Sequence, residues 1–433
     1  MIKIIPAALF FLSFFASLVS NAILRQISIK YNFLIDTPND QRKFHHKKTP
    51  ATGGIAISIG IIFSGLFLFA FTDSDYDLDI STEKFINSNQ IEENSTTNSY
   101  SYKLGNGTEV KIQRFDDSSF TITLPNGEIR LYRVYVDQNS LRNDSYMVLE
   151  EGSENQIRIT NFSLGLFLFT LLVQFVMVID DLWGLRALTK LFLQSVCVGG
   201  LVFVSDMYIN NLGNLFGFGE ISLGLFGIPF TIFCVVGIMN AFNMIDGING
   251  LCATMCLICF MSIIYIINAD SIPSLFPLIL PVGSIFGFLM YNLGILGDRT
   301  VFLGDNGSNA LGFLCAWVLI YFSSIENAVI SPVTALWLVA IPFVDAVGVI
   351  FSRVLNKLKV LNSHRDHIHH KMINKNISAE ATFVVLILLS GFLAYVGLFF
   401  EKNYLDQSYY SFYAFIIFSL SYYLIARRLS ENV

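Results

Sequence analysis

Charge is what this 433-residue chain has least of: Asp, Glu, Lys and Arg make up 14% of it, against 54% hydrophobic residues and a mean hydropathy of +0.59. A soluble globular domain carries about 25% charged residues, so water is excluded as the solvent for most of the chain. Cysteine is scarce, and its placement excludes a disulfide framework. Cys197, Cys234, Cys252, Cys256, Cys259 and Cys315 all fall in or at the edge of apolar runs. Cys252 and Cys256 have helical spacing but no His or carboxylate among them, so they read as small packing residues.

In place of charge stand apolar runs long enough to cross a hydrocarbon layer, roughly 20 residues each. Eleven can be drawn, at 5–24, 54–71, 162–179, 188–204, 223–239, 251–267, 272–289, 310–322, 333–351, 382–400 and 409–425. The first has leader-like features in Lys3 and Ser20-Asn21-Ala22, but it is long for a leader and a basic loop follows at once, so it reads as a retained helix. Lys and Arg collect between runs one and two (Arg25, Lys30, Arg42, Lys43, Lys47, Lys48), between nine and ten (Arg353, Lys357, Lys359, Arg365, Lys371, Lys375) and at Arg427 and Arg428. Short basic loops face the cytosol. An odd number of spans with the amino terminus outside puts all three clusters on that side. The expected fold is an all-α polytopic membrane protein of about 11 transmembrane helices, its carboxyl terminus cytosolic.

One segment breaks the pattern. Residues 73–160 hold 16 acidic and 8 basic residues, a net charge of −8 in a chain whose total is −6. The first half, rich in Asn, Ser and Thr, reads as linker. The second alternates apolar and polar residues around Asn126-Gly127, a strong β-hairpin signal. The chain therefore divides into 1–72 with two helices and a cytosolic loop, a small extracytoplasmic insert with β-hairpin structure at 73–160, and 161–433 with the remaining helices and cytosolic loops. The insert has no cluster that suggests catalysis; a structural, assembly or partner-binding role is expected of it.

Polar groups at the ends of membrane helices are informative because a carboxylate there costs several kcal/mol without a partner or a task. Four groups stand out. Asp180-Asp181 ends the third run; two adjacent carboxylates repel, and a divalent cation, protonation or a nearby base such as Lys190 relieves them. Asn240, Asn243 and Asp246 recur at helical spacing on one face, with Gly247 and Gly250 after them, and offer the oxygen donors that suit Mg²⁺. The loop before the eighth run reads Gly304-Asp305-Asn306-Gly307-Ser308, a place for a carboxylate on a metal beside backbone N–H groups on an anion. Last, His364-Arg365-Asp366-His367-Ile368-His369-His370 packs four histidines around an arginine. Zinc must be considered there, but guanidinium among imidazoles suits phosphate. Any one group alone has a bland reading as a helix-end charge pair, interhelical glue or chance. All four fall on one side of the membrane, whereas a transporter would bury some near midplane on broken helices.

These residues resemble the polyprenyl-phosphate N-acetylhexosamine-1-phosphate transferases, glycosyltransferase family 4, in particular the type that loads N-acetylglucosamine 1-phosphate onto undecaprenyl phosphate. Asp180-Asp181 with Leu185, Lys190-Leu191 and Gln194 looks like that family's first motif, Asn240-x-x-Asn243-x-x-Asp246-Gly247 the second, Phe302-Leu303-Gly304-Asp305-x-Gly307-Ser308 the third, and His367-Ile368-His369-His370 its histidine motif. The Pro and three consecutive His of the muramyl-pentapeptide branch are missing. Smaller matches are Arg42-Lys43-Phe44-His45, Thr49-Pro50, Gly53-Gly54, Tyr291-Asn292, Arg299, and Pro342 with Asp345. Thr52 stands where many relatives have a basic residue, and the insert is larger than usual.

The resemblance implies a Mg²⁺-dependent enzyme, with Mn²⁺ as a substitute, in which undecaprenyl phosphate attacks a UDP-N-acetylhexosamine and UMP leaves. It implies a catalytic set of Asp180, Asp181 and Asp305, with Asn243 and Asp305 on the metal. Lys48, Lys190, Asn240, Asp246, Arg365, His367, His369 and His370 would bind substrate; whether Asp180 is base or nucleophile stays open. The sugar is N-acetylglucosamine or, alternatively, a fucosamine or quinovosamine derivative; a non-catalytic transporter or scaffold is the rival from outside the class. The setting implied is the bacterial cytoplasmic membrane, at the first step of a cell-surface polysaccharide pathway such as O-antigen synthesis. Expected partners are the two substrates, the bilayer, a second copy in a homodimer and a partner of the insert, with no nucleic acid.

Overall fold

The computed structural model describes residues 5–37, 48–71, 91–94, 99–103, 109–114, 119–123, 129–135, 148–151, 153–267, 272–324, 329–359, 366–404 and 407–431. Arg365, Arg42, Lys43, His45 and the Asn126-Gly127 turn lie outside these. The chain forms two compact units, residues 72–161 and the rest.

The smaller unit is a six-stranded antiparallel meander: β3 (Ile91–Asn94), β4 (Ser99–Lys103), β5 (Glu109–Arg114), β6 (Ser119–Thr123), β7 (Ile129–Tyr135) and β8 (Val148–Glu151), each paired with the next. Thr123 faces Ile129 in the β6–β7 pair, on either side of the predicted hairpin turn.

The larger unit is helical. In order it comprises α1 (Ile5–Tyr31), a short β1–β2 pair (Ile35–Asp36 with Thr49–Pro50), α2 (Gly53–Phe71), α3 (Ser153–Trp183), α4 (Ala187–Ser205), α5 (Gly227–Ile245), α6 (Leu251–Ile266), α7 (Ile272–Asn292) and α8 (Gly304–Ser324). Then come α9 (Pro332–Leu338), α10 (Ala340–Leu355), α11 (Ile368–Asn374), α12 (Ala379–Asn403) and α13 (Ser408–Glu431). Six of the described helices are long and apolar enough to cross a membrane, or seven if α9 and α10 count as one broken span.

Three expectations need correction. The run 333–351 is not one helix: α9 and α10 meet at an 85° bend. Pro342 explains the break, because inside a continuous helix its ring would clash with the carbonyl of Leu338 and leave that carbonyl without a donor. Ending α9 at Leu338 puts Pro342 in the first turn of α10, where its missing N–H costs nothing. Ser331 caps α9, its hydroxyl accepting from Thr334 N–H at 3.4 Å. The eighth run also starts earlier than hydropathy suggests: α8 begins at Gly304, so Asp305 lies in its first turn rather than in a loop. And α5 ends at Ile245, so Asp246 lies just beyond the helix that carries Asn240 and Asn243.

α8 is the axis of the bundle. From Asn306 to Phe322 every residue is buried, as expected of a helix that is apolar all round. It packs against α5, α2 and α6, and Trp317, Phe313, Phe242 and Phe260 fill the contacts. A central helix fixed on all sides holds the group at its first turn, Asp305, in a defined place.

Candidate active site

Because neighbouring helices run in opposite directions, the C-terminal ends of α3 and α5 meet the N-terminal ends of α4 and α8 at one end of the bundle. The segment before α2 is stitched to the same place: Phe302 N–H donates to Pro50 O at 2.7 Å, Gly53 N–H to Phe302 O at 2.9 Å and Gly54 N–H to Leu303 O at 3.1 Å. Gly304, with φ +78°, makes the turn into α8; a Cβ there would lie 2.7 Å from Asn306 Nδ2 and 2.9 Å from Ala51 O.

The charged groups are linked. Lys190 Nζ lies 2.9 Å from Asp180 Oδ2 and 3.1 Å from Asp305 Oδ2. Asp180 Oδ1 accepts from Leu185 N–H at 2.8 Å. Asp181 turns the other way, its Oδ2 accepting from Asn306 Nδ2 at 2.8 Å and Asn306 N–H at 3.2 Å. The adjacent pair is thus split between a cation and an amide, which relieves the repulsion.

Behind the charges runs a chain of amides. Asn240 Nδ2 donates to Gln194 Oε1 at 2.9 Å, Gln194 Nε2 to Asn309 Oδ1 at 2.7 Å, and Asn309 Nδ2 to the carbonyl of Asp305 at 2.8 Å. Asn243 Nδ2 donates to Ser308 Oγ at 2.9 Å, and its amide oxygen remains for a ligand. Each amide of α4 and α5 is therefore held against α8. Asn240 serves in this scaffold while also lining the cavity in front of it.

That cavity has a volume of about 1430 Å³. Lys190, Asn240, Asn243, Asp246, Asp305, His367, His369 and His370 all line it; Asp180 and Asp181 do not, Asp180 being paired with the lining residue Lys190 and Asp181 bonded to Asn306, the neighbour of Asp305 in the chain. Lys48 is exposed and does not line it; Asp36 and Ala51 do so from the same part of the chain. The lining also includes apolar residues, Leu191 of α4 and Ile232, Phe233 and Val236 of α5.

Burial pushes the Asp246 carboxyl up to about 8, helped by the charges of Asp305 and Asp181. His369 has no exposed surface, and neither ring nitrogen has a hydrogen-bond partner. Its burial, together with His370 and His367, holds it well below the usual histidine range, so it is neutral. It sits over Gly247, where a Cβ would lie 2.2 Å from His369 Nε2. The second motif and the histidine motif thus meet through a position that only glycine fits.

Oxygen donors gather here around an excess of negative charge, which suits a hard cation. Among the described residues no group of three or more His, Cys, Asp or Glu side chains could hold an ion alone. The carboxylate of Asp305 and the amide of Asn243 are the kind of oxygen donors that Mg²⁺ takes, one or two from the protein with water and a substrate phosphate beside them.

Some contributors were not singled out as site residues from sequence. Asn306, Ser308 and Asn309 carry no signal of their roles beyond their place beside Asp305, and their partners lie 65 to 125 residues away. Asp366 pairs with Arg353 at 3.0 Å, both flanking the histidine segment.

Comparison with known proteins gives one family: residues 163–323 match Glycosyl transferase family 4. Curated relatives are the undecaprenyl-phosphate alpha-N-acetylglucosaminyl 1-phosphate transferases of Escherichia coli K12, 33% identical over 259 residues (58% of this chain, 70% of the relative), and Yersinia pestis, 33% identical over 248 (57% and 67%). The Haemophilus influenzae protein of the same name is 32% identical over 267 residues, 60% of this chain and 74% of the relative.

Proposed function

The chain belongs to glycosyl transferase family 4, and we propose that it transfers N-acetylglucosamine 1-phosphate from UDP-N-acetylglucosamine to undecaprenyl phosphate, releasing UMP. The observation that carries this reading is the convergence of Lys190, Asn243, Asp305 and His369 on one cavity that also has apolar lining, with Asp180 paired to Lys190. A lipid phosphate needs both: a wet end for its headgroup and an apolar one for its chain. The names of the relatives supply the acceptor and the sugar.

In the proposed reaction an oxygen of the lipid phosphate forms a bond to the β-phosphorus of the donor. The bond from that phosphorus to the oxygen bridging the α-phosphate breaks, and UMP leaves with the electron pair. The protein's task is alignment and charge neutralisation. Lys190 draws the acceptor phosphate toward Asp180, which takes up its proton or fixes its position. Asn243 and Asp305 would hold Mg²⁺, which when bound neutralises the diphosphate and the departing UMP. His367, His369 and His370 would bind the donor's phosphates, a role the family resemblance extends to Arg365; Asp246 would serve the nucleotide and sugar side.

Loop charge supports a cytosolic location for this end of the bundle in the bacterial cytoplasmic membrane, with the segment 73–160 on the other side. The test uses purified protein, undecaprenyl phosphate, Mg²⁺ and a panel of UDP-N-acetyl sugars. UMP should appear with N-acetylglucosamine as the preferred donor, EDTA should stop it, and Asp305→Ala should abolish it without unfolding the protein. No UMP with any donor refutes the reading.

A further inference from the structure

α10 carries a carboxylate in the apolar run, Asp345, and the protein buries it to 4% exposure. A carboxylate so placed must be compensated. Its Oδ2 lies 2.7 Å from His367 Nδ1, and its Oδ1 accepts from Ile368 N–H at 3.0 Å and from the Tyr422 hydroxyl at 3.1 Å. Two of the three contacts are to the histidine segment, one to a side chain and one to the backbone. Two turns further along α10, Arg353 donates through Nε and Nη2 to Asp366 Oδ2 at 3.2 and 3.0 Å. Residues 366–368 are therefore fastened to α10 at three consecutive positions. α10 itself begins at the 85° bend and packs against α5, the helix of Asn240 and Asn243.

We propose that Asp345 is a positioning residue for the phosphate-binding histidines: it commits His367 Nδ1–H to itself, so that Nε2 is the ring atom presented to a phosphate in the cavity. His367 lines that cavity, and Nδ1 is already used. A carboxylate behind an imidazole fixes which nitrogen carries the proton. It also balances the charge when Nε2 takes up a proton to meet an anion. Through Ile368 the same carboxylate sets the start of α11, and with it the place of His369 over Gly247. The proposal rests on the reading of the site as a donor-phosphate pocket.

Asp345→Asn tests it. The amide can still accept from Ile368 N–H and Tyr422, but it offers His367 an N–H where it needs an acceptor, so the ring must change tautomer. The expected result is a kcat/KM for the UDP-sugar lower by about 10- to 100-fold per folded protein. In ¹⁵N spectra of histidine-labelled protein, His367, assigned with His367→Gln, should carry its proton at Nδ1 in the wild type and at Nε2 in the Asn variant. Tyr422→Phe keeps the carboxylate and should keep the wild-type tautomer. An Asn variant with wild-type kcat and KM overturns the proposal. So does a wild-type His367 bare at Nδ1, which is read on the wild-type protein and not on the Asp345→Asn variant. If the wild type turns over no UDP-sugar, the proposed function fails, while the tautomer still decides the role of Asp345.

Discussion

The ammonium of Lys190 stands between Asp180 and Asp305, 2.9 Å from one carboxylate and 3.1 Å from the other, and so joins two motifs 125 residues apart in the chain. Hydrogen bonds to charged groups contribute about 1.5–3 kcal/mol each. Removing both by Lys190→Gln should lower turnover by about 10²-fold or more, since each 1.4 kcal/mol is tenfold in rate. Lys190→Arg should not restore it, because a planar fork cannot take the place of a compact ammonium between two carboxylates. UMP release, normalised to folded protein, gives the comparison.

Gly247 leaves no room for a side chain under His369. Overpacking costs about 1–3 kcal/mol, and here the imidazole is the group that must move. Gly247→Ala should lower kcat at least about tenfold while the protein stays monodisperse. Gly391 in α12 has nothing within 4 Å of its Cβ position, so Gly391→Ala should keep full activity and gain about 0.4–1 kcal/mol of stability. Activity and thermal unfolding of both variants test the pair together.

Burial of His369 makes stability depend on pH. Its folded-state value lies below the ordinary 6.5. Above that value both states are neutral and the contribution is complete. As pH falls through it, the unfolded chain takes up a proton that the folded protein refuses, and stability is lost toward the lower folded value. The limiting slope is about 1.4 kcal/mol per pH unit for one proton. Melting curves of substrate-free protein from pH 8 to 5 should fall below about pH 6.5, and His369→Asn should flatten that part of the decline.

Thr52 and Gly53 open α2 beside the site, and α2 runs on to Phe71. Nineteen helical residues span about 28 Å. Asp180 and Asp181 likewise close α3 at the end away from Ser153. Phe71, the last described residue before the segment 73–160, thus lies about 28 Å along α2 from the residues beside the candidate site. Replacing 73–160 with a flexible linker should leave UMP release within about threefold of wild type; loss of activity in a folded variant would give that segment a catalytic role.

Much of this site was legible because the residues that carry it are costly where they stand. Asp180, Asn243 and Asp305 are polar groups at the ends of apolar runs, and the three-residue spacing of Asn240 and Asn243 marks a helix face. Asp345 was equally visible as a carboxylate inside an apolar run, but its task was not, because His367 is 22 residues away and Tyr422 is 77. The break at Val339 escaped the hydropathy reading for a different reason: an average over apolar side chains does not register a missing N–H, and Pro342 alone carries that signal. Lys48 is the opposite case. The resemblance implied substrate contact for it, yet it lies outside the cavity lining, and nothing in composition separates a lysine that reaches a phosphate from one that meets water.

The central claim is that a sugar phosphate, and not a sugar alone, passes to the lipid. The most direct measurement supplies UDP-N-acetylglucosamine labelled at its β-phosphorus to the purified protein with undecaprenyl phosphate and Mg²⁺, then separates lipid from nucleotide. The account predicts the label in the lipid product, with one unlabelled UMP released for each. Label retained in released UDP, or recovered only in unreacted donor, would contradict it.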